Sequence, residues 1–196
     1  MTITQIFALA VGYLLGSIPV GLLLTRLAGR GDLRAIGSGN IGATNVLRTG
    51  SKGLAALTLL LDAAKGAAAV MIAQAMWPDG VLFAAAGALI GHLYPVWIKF
   101  KGGKGVATLL GIIAPLLPIA AIIYVLLWVG MLLVWRISSV AGMTAAASAP
   151  VTAAMVGAWT LLPMLLGFAI LVIWKHRDNI GRLKDGTEPH IGRSEG

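Results

Sequence analysis

Apolar runs of membrane-spanning length follow one another along almost the whole chain, and they leave few folds open to it. A spanning helix needs ~20 consecutive, mostly apolar residues. Such runs cover Ile3 to Leu27, Gly53 to Met76, Val81 to Ile98, Val106 to Trp135 and the stretch beyond Ser139 as far as Trp174. Only 11% of the 196 residues are charged, far below the usual share of a soluble domain. No separate soluble domain fits between the runs. The expectation is an all-α integral membrane protein, a single polytopic domain over residues 1–196.

Proline and charge divide the runs into spans. As one helix, Val106 to Trp135 would be ~45 Å long, against a hydrocarbon core of ~30 Å. Pro115 and Pro118 fit a short helix pair instead, with a first helix to about Ala114 and a return from Pro118. Trp77-Pro-Asp-Gly80 reads as a tight turn, and Gly157, Trp159 and Pro163 mark another. Seven transmembrane helices with the N-terminus outside then place the loop 28–52, the loop 99–105, the turn at Arg136 and the tail from Lys175 in the cytoplasm. Those segments, with Arg26, hold every Lys and Arg except Lys65, and the other side keeps only Asp79. That is the positive-inside pattern, with the C-terminus cytoplasmic. Six spans would export the basic tail. The net charge of +8 thus reports orientation and contact with anionic membrane lipid, and nucleic acid is not an expected partner. Met1-Thr-Ile-Thr-Gln5 lacks the basic segment of a cleaved signal peptide and reads as the start of the first span.

The polar sequence therefore gathers on one membrane face. Lys99-Phe-Lys-Gly-Gly-Lys-Gly105 combines glycines, which let a backbone approach an anion, with lysines that neutralise it. The helix predicted from Val106 adds its N-terminus. This is not a Walker loop, because Gly105 stands where Ser or Thr must follow the lysine and Ile98 where the first glycine belongs. Lys99 and Lys101 suit lipid headgroups, whereas Lys104, flanked by Gly102, Gly103 and Gly105, suits a substrate phosphate. The loop Ile36 to Arg48 formally contains G-x-G-x-x-G, but no βαβ unit surrounds it. Its useful content is local. Ser38, Asn40, Thr44 and Asn45 offer hydrogen bonds, and Arg48 a fork for a phosphate.

Other candidates lie in the helices and the tail. Asp62 and Lys65, three residues apart, share a helix face and read as a structural pair bordering the site. His92 lies in a predicted span and is a functional candidate, with a bond to a neighbouring helix as the equal alternative. Ser138 and Ser139 sit at a turn, where serines most often cap helices. His176, Asn179 and Leu183 recur at helical spacing and give one face of the tail. The chain has no cysteine, which excludes disulfides and thiolate chemistry, and its scattered histidines and carboxylates make no metal site. No cofactor is expected.

These motifs closely resemble the bacterial glycerol-3-phosphate acyltransferases that use acyl phosphate as donor. The matching stretches are Gly37-Ser-Gly-Asn-Ile-Gly-Ala-Thr-Asn45 with Arg48, Gly91-His-Leu-Tyr-Pro95 with Phe100 to Thr108, and His176-Arg-Asp-Asn-Ile-Gly-Arg-Leu183 with Glu188. The resemblance implies a seven-helix enzyme of the bacterial cytoplasmic (inner) membrane, its active site on the cytoplasmic face. It implies transfer of a fatty acyl group to the 1-hydroxyl of glycerol 3-phosphate, giving lysophosphatidate and phosphate, and a monomer is expected. It matches Ser38, Arg48, Lys104, Ser139, His176 and Asn179 to active-site positions, and Gly102, Gly103 and Gly105 to the glycerol 3-phosphate loop. The His-x₄-Asp pair of other glycerolipid acyltransferases is absent. For the proton of the acceptor hydroxyl, the family implies the substrate phosphate, while the residues alone nominate His176. A transporter for an anionic metabolite is the rival class. Against it stand the absence of visible inverted repeats and the crowding of polar groups at one face.

Overall fold

The computed structural model describes residues 1–191, and its regular structure among those residues is entirely helical. The chain divides into two compact units, Met1–Leu116 and Leu117–Gly196.

In the first unit, α1 (Ile3–Gly16) opens with a capping box between Thr2 and Gln5. The Thr4 hydroxyl donates to Asp79 at 2.7 Å, tying this end to the turn Pro78–Gly80. The first apolar run is not one helix. Pro19 has no N–H to give, so the helix stops at Gly16 and α2 (Val20–Leu27) starts afresh. The break leaves polar groups, one backbone and one side-chain, that distant side chains reach. Lys65 Nζ donates to the Ile18 carbonyl at 2.8 Å. Trp97 Nε1 donates to Ser17 Oγ at 2.8 Å.

The loop after α2 folds back onto the core through Leu33, Ile41 and Val46, which cluster with Leu22, Ala55 and Ile98. It also contains a short helix, α3 (Ala43–Leu47), which periodicity alone did not signal. Beyond it come α4 (Lys52–Met76), α5 (Val81–Leu93) and α6 (Val106–Leu116). α1 lies along α5 and α4 along α6. Small residues allow the close approach, as in membrane helix pairs. A side chain at Gly12 would strike the Ala84 backbone, and one at Gly16 the Ala88 backbone.

The second unit contains α7 (Pro118–Trp135), α8 (Ser138–Met155), α9 (Leu162–Lys175) and α10 (Arg177–Lys184). α8 packs against both α7 and α9 and buries Ala141, Ala145, Ala146, Ala149 and Ala153 completely. Its polar Ser148 and Thr152 donate to carbonyls one turn back, at 2.7 and 2.9 Å. Large apolar side chains such as Leu126 and Leu133 of α7 stay outward, as suits contact with lipid tails.

Four helical stretches are long and apolar enough to cross a bilayer: Ile3–Leu27, Lys52–Met76, Pro78–Ile98 and Pro118–Trp135. The helix break falls at Leu117, between the two prolines. α6 has 11 residues and at 1.5 Å per residue is ~16 Å long, about half the hydrocarbon core.

Candidate active site

Two clusters of polar side chains emerge, one in each unit. In the first, Asn45 is the centre of its loop. It is 2% exposed, donates from Nδ2 to the carbonyls of Leu33 and Ile36 at 2.9 and 3.0 Å, and accepts the Ser38 N–H at 3.3 Å. Its amide thus works on the loop's own backbone. Asn40 acts similarly, its Oδ1 accepting the Gly42 N–H at 3.2 Å just before α3. Thr44, Ser38 and Arg48 face outward. Gly37 connects the last two. Its φ of +52° is left-handed, and a side chain there would collide with the Arg48 guanidinium and Asn45 Oδ1. The glycine lets Arg48 lie across the backbone beside Ser38.

The neighbouring Asp32 accepts from Arg34 at 2.6 Å and from Arg26 at 3.3 Å. Hydrogen bonds from Arg34, chiefly, hold its carboxyl well below the ordinary carboxylate range. This pairing occupies Arg34 and Arg26, and Arg48, like Arg30, is an exposed cation outside it.

The glycine loop is wound tightly. Lys99 and Phe100 are consecutive left-handed residues at φ 54° and 61°, and they turn the chain so that the Phe100 N–H donates to Pro95 at 3.0 Å. Gly102 and Gly103 donate their N–H groups to the Leu93 and His92 carbonyls, at 3.3 and 3.0 Å. Their amides are therefore directed inward. What these glycines give is closeness, because a side chain on either would run into the end of α5. The lysines separate as their spacing suggested: Lys99 and Lys101 are exposed, and Lys104 is half-buried where α6 begins.

Asp62, Lys65 and His92 come together behind this loop, 3%, 7% and 4% exposed. Lys65 Nζ lies 2.7 Å from Asp62 Oδ1, and His92 Nδ1 lies 3.5 Å from the same oxygen. The far edge of the His92 ring, Nε2, fills the space where a Gly103 side chain would begin.

In the second unit the hub is Glu188. Its Oε1 accepts from Ser139 Oγ at 2.6 Å and from Asn179 Nδ2 at 2.5 Å, and its Oε2 from Arg182 Nε at 2.7 Å. The carboxylate is 5% exposed. Burial pushes its pKa up, but bonds from Ser139, Asn179 and Arg182, with the Arg182 charge, outweigh that and hold it below the ordinary glutamate value. His176 is 3% exposed, with Nδ1 2.7 Å from the Val172 carbonyl. A carbonyl only accepts, so Nδ1 carries the proton and the lone pair of the neutral ring is on Nε2. Sequence reasoning gave Glu188 only a peripheral place and did not single out Arg182. The available signal was a carboxylate following a basic helix.

The family model described as glycerol-3-phosphate acyltransferase matches residues 6–186. A glycerol-3-phosphate acyltransferase of Mesorhizobium japonicum is 55% identical over 192 residues, 98% of each chain. One of Erythrobacter litoralis is 54% identical over 185 residues, 94% of each. The fold also matches the crystal structure of PlsY (YgiH), an integral membrane glycerol 3-phosphate acyltransferase, in its glycerol 3-phosphate form. That match has a TM-score of 0.90 and 40% identity over 96% of each chain. The lysophosphatidic acid form of PlsY matches with a TM-score of 0.87 at 38% identity, over 96% of this chain and 95% of that one. With an all-helical, membrane-integral fold and a family model that matches residues 6–186, the chain belongs to the glycerol-3-phosphate acyltransferase family.

Proposed function

We propose that the chain transfers a fatty acyl group from acyl phosphate to the 1-hydroxyl of glycerol 3-phosphate. Lysophosphatidate and inorganic phosphate are the products, and the reaction opens phospholipid synthesis. The observation that carries this reading is the 40% identity, over 96% of both chains, to an enzyme crystallised with glycerol 3-phosphate and with lysophosphatidic acid. In this reading the enzyme is a monomer of the bacterial cytoplasmic membrane with seven spans, the N-terminus outside and the chemistry at the cytoplasmic face.

Acyl phosphate is a mixed anhydride, so its carbonyl is already activated and phosphate is a good leaving group. The hydroxyl oxygen attacks the acyl carbon, a new C–O ester bond forms, and the bond from that carbon to the phosphate oxygen breaks. No enzyme nucleophile is required. Both substrates are anions, and bringing them together requires local positive charge. Arg48 and Lys104 supply it, with Ser38 as a hydrogen-bond donor beside Arg48. Gly102, Gly103, Gly105, Asn40, Thr44 and Asn45 shape the binding loops. In the second unit His176 and Asn179 are the catalytic residues, with Ser139 binding substrate and Glu188 holding Ser139 and Asn179 in place. Positioning is the main catalytic device. The acceptor's own phosphate takes the proton, with His176 as the alternative base.

The test is purified protein with acyl phosphate and glycerol 3-phosphate, without added metal, measuring both released phosphate and lysophosphatidate. Stoichiometric formation of the two supports the proposal. Strict dependence on acyl-CoA refutes the donor assignment.

A further inference from the structure

The loop that carries Lys104 leaves α5 at Leu93 and joins α6 at Val106, and α4 braces it at both ends. At the α5 end the His92 carbonyl accepts the Gly103 N–H at 3.0 Å. The His92 ring spans the gap between α4 and the loop, with Nδ1 facing Asp62 Oδ1 at 3.5 Å and Nε2 against Gly103. At the α6 end, Gly66 abuts the Thr108 carbonyl and Gly111 abuts the Ala63 carbonyl. Asp62 is fixed in turn by Lys65 at 2.7 Å, and Lys65 by the Ile18 carbonyl at 2.8 Å.

A buried charged network is a weak stabilising device, since well-packed apolar residues of similar volume do as well or better. What charge adds is direction. The 3.5 Å approach of His92 to Asp62 is long for a hydrogen bond, so the ring is oriented by its place between Asp62 and Gly103 more than by bonding strength. The oriented ring then sets how far the glycine loop stands from α4.

We propose that Asp62 and His92 are positioning residues for the phosphate of glycerol 3-phosphate: they hold the Gly102–Gly103 segment at the distance that presents Lys104. This inference rests on the acyl-transfer reading above. None of the three buried groups contacts substrate; they act through the loop.

The experiment uses three variants of the full chain in detergent. In His92→Asn the amide occupies the place of Nδ1 and keeps Asp62, but it vacates the space beside Gly103. In His92→Gln the longer amide reaches the place of Nε2 and restores that contact. Asp62→Asn combined with Lys65→Met removes both charges together, so that no lone buried charge remains. The expected result for His92→Asn and for the double variant is a rise of about tenfold in KM for glycerol 3-phosphate, the effect of one lost hydrogen bond to a charged ligand. Their kcat and their KM for acyl phosphate should stay close to wild type, and His92→Gln should recover most of the loss. A wild-type KM for glycerol 3-phosphate in either of the first two overturns the proposal. So does a fall in all parameters together with thermal stability, and the double variant keeps the test decisive if His92→Asn does not fold. If the wild-type protein shows no acyl transfer, the function reading fails instead. The thermal shift produced by glycerol 3-phosphate, compared between wild type and variants, then decides the positioning role separately.

Discussion

Replacing Glu188 tests the organisation of the second unit most directly. Glu188→Ala removes one acceptor from three donors: Ser139, Asn179 and Arg182. Ser139 and Asn179 are 3% and 5% exposed, so water does not readily replace the lost oxygen. A hydrogen bond to a charged group contributes ~1.5–3 kcal/mol. The Arg182 side chain is 36% exposed, so its ion pair adds no more than ~1 kcal/mol. Taking the lower values for bonds that share one oxygen, the loss is about 4 kcal/mol. At ~2–4 °C per kcal/mol for a chain of this size, Tm should fall by roughly 8–16 °C. Glu188→Gln keeps an oxygen for Ser139 and Asn179 but sets an amide NH2 in place of the Oε2 that accepts from Arg182, so its Tm should fall less. The assay is thermal unfolding in detergent at one fixed scan rate, because such proteins commonly unfold irreversibly. Acid gives a second readout. The folded carboxyl is held below its ordinary value, so its contribution is complete above the unfolded value of ~4.3 and is lost as pH falls through the lower folded value. Wild type and Glu188→Gln should therefore differ most above about pH 5 and converge in acid. An alanine variant that melts with wild type, or a gap that persists unchanged in acid, would refute the reasoning.

Lys104→Ala should leave the fold intact and lower turnover by about 100-fold or more, the usual cost of losing a group that stabilises developing charge; wild-type rates in the purified variant would remove Lys104 from the chemistry. His176→Gln should retain measurable turnover if the substrate phosphate accepts the proton, and complete loss with glycerol 3-phosphate binding intact would make His176 the base. Lys65→Met strands the buried Asp62 charge and leaves the Ile18 carbonyl with the Val20 N–H, which should cost about 3–5 kcal/mol and show as a large drop in Tm; restoring much of that stability by adding Asp62→Asn would identify the stranded charge as the cause.

Local patterns carried much of this protein. Apolar runs and prolines located the helices, and glycine and lysine spacing separated Lys104 from Lys99 and Lys101, which the structure leaves exposed. The family resemblance, resting on three motifs in order, is borne out across residues 6–186. What was not legible depends on contacts between distant segments. Asp62 and Lys65 announced a pair at helical spacing, but nothing periodic linked them to His92, 30 and 27 positions further on. The helix break before Pro19 was hidden inside an unbroken apolar run, because hydropathy does not register a missing N–H. The amides of Gly102 and Gly103 looked like phosphate donors until the fold directed them at α5. Glu188 became a hub only when the tail brought it back to Ser139, 49 residues away.

The bond from Lys65 to the Ile18 carbonyl also has a meaning in time. The two residues are 47 positions apart, and a ribosome adding ~5–20 residues per second needs several seconds to make the second after the first. Through that interval the break between α1 and α2 lacks its lysine. Until then the Ile18 carbonyl has the Val20 N–H at 3.0 Å but not its second donor, and an incompletely bonded backbone is poorly tolerated in hydrocarbon, so the nascent N-terminal segment has reason to stay near water or the insertion machinery until α4 arrives. Lys65 enters the membrane at a lower cost by the same event, because the carbonyl and Asp62 receive it together. The bond thus couples the arrival of α4 to the break between α1 and α2, although the chain lists them far apart.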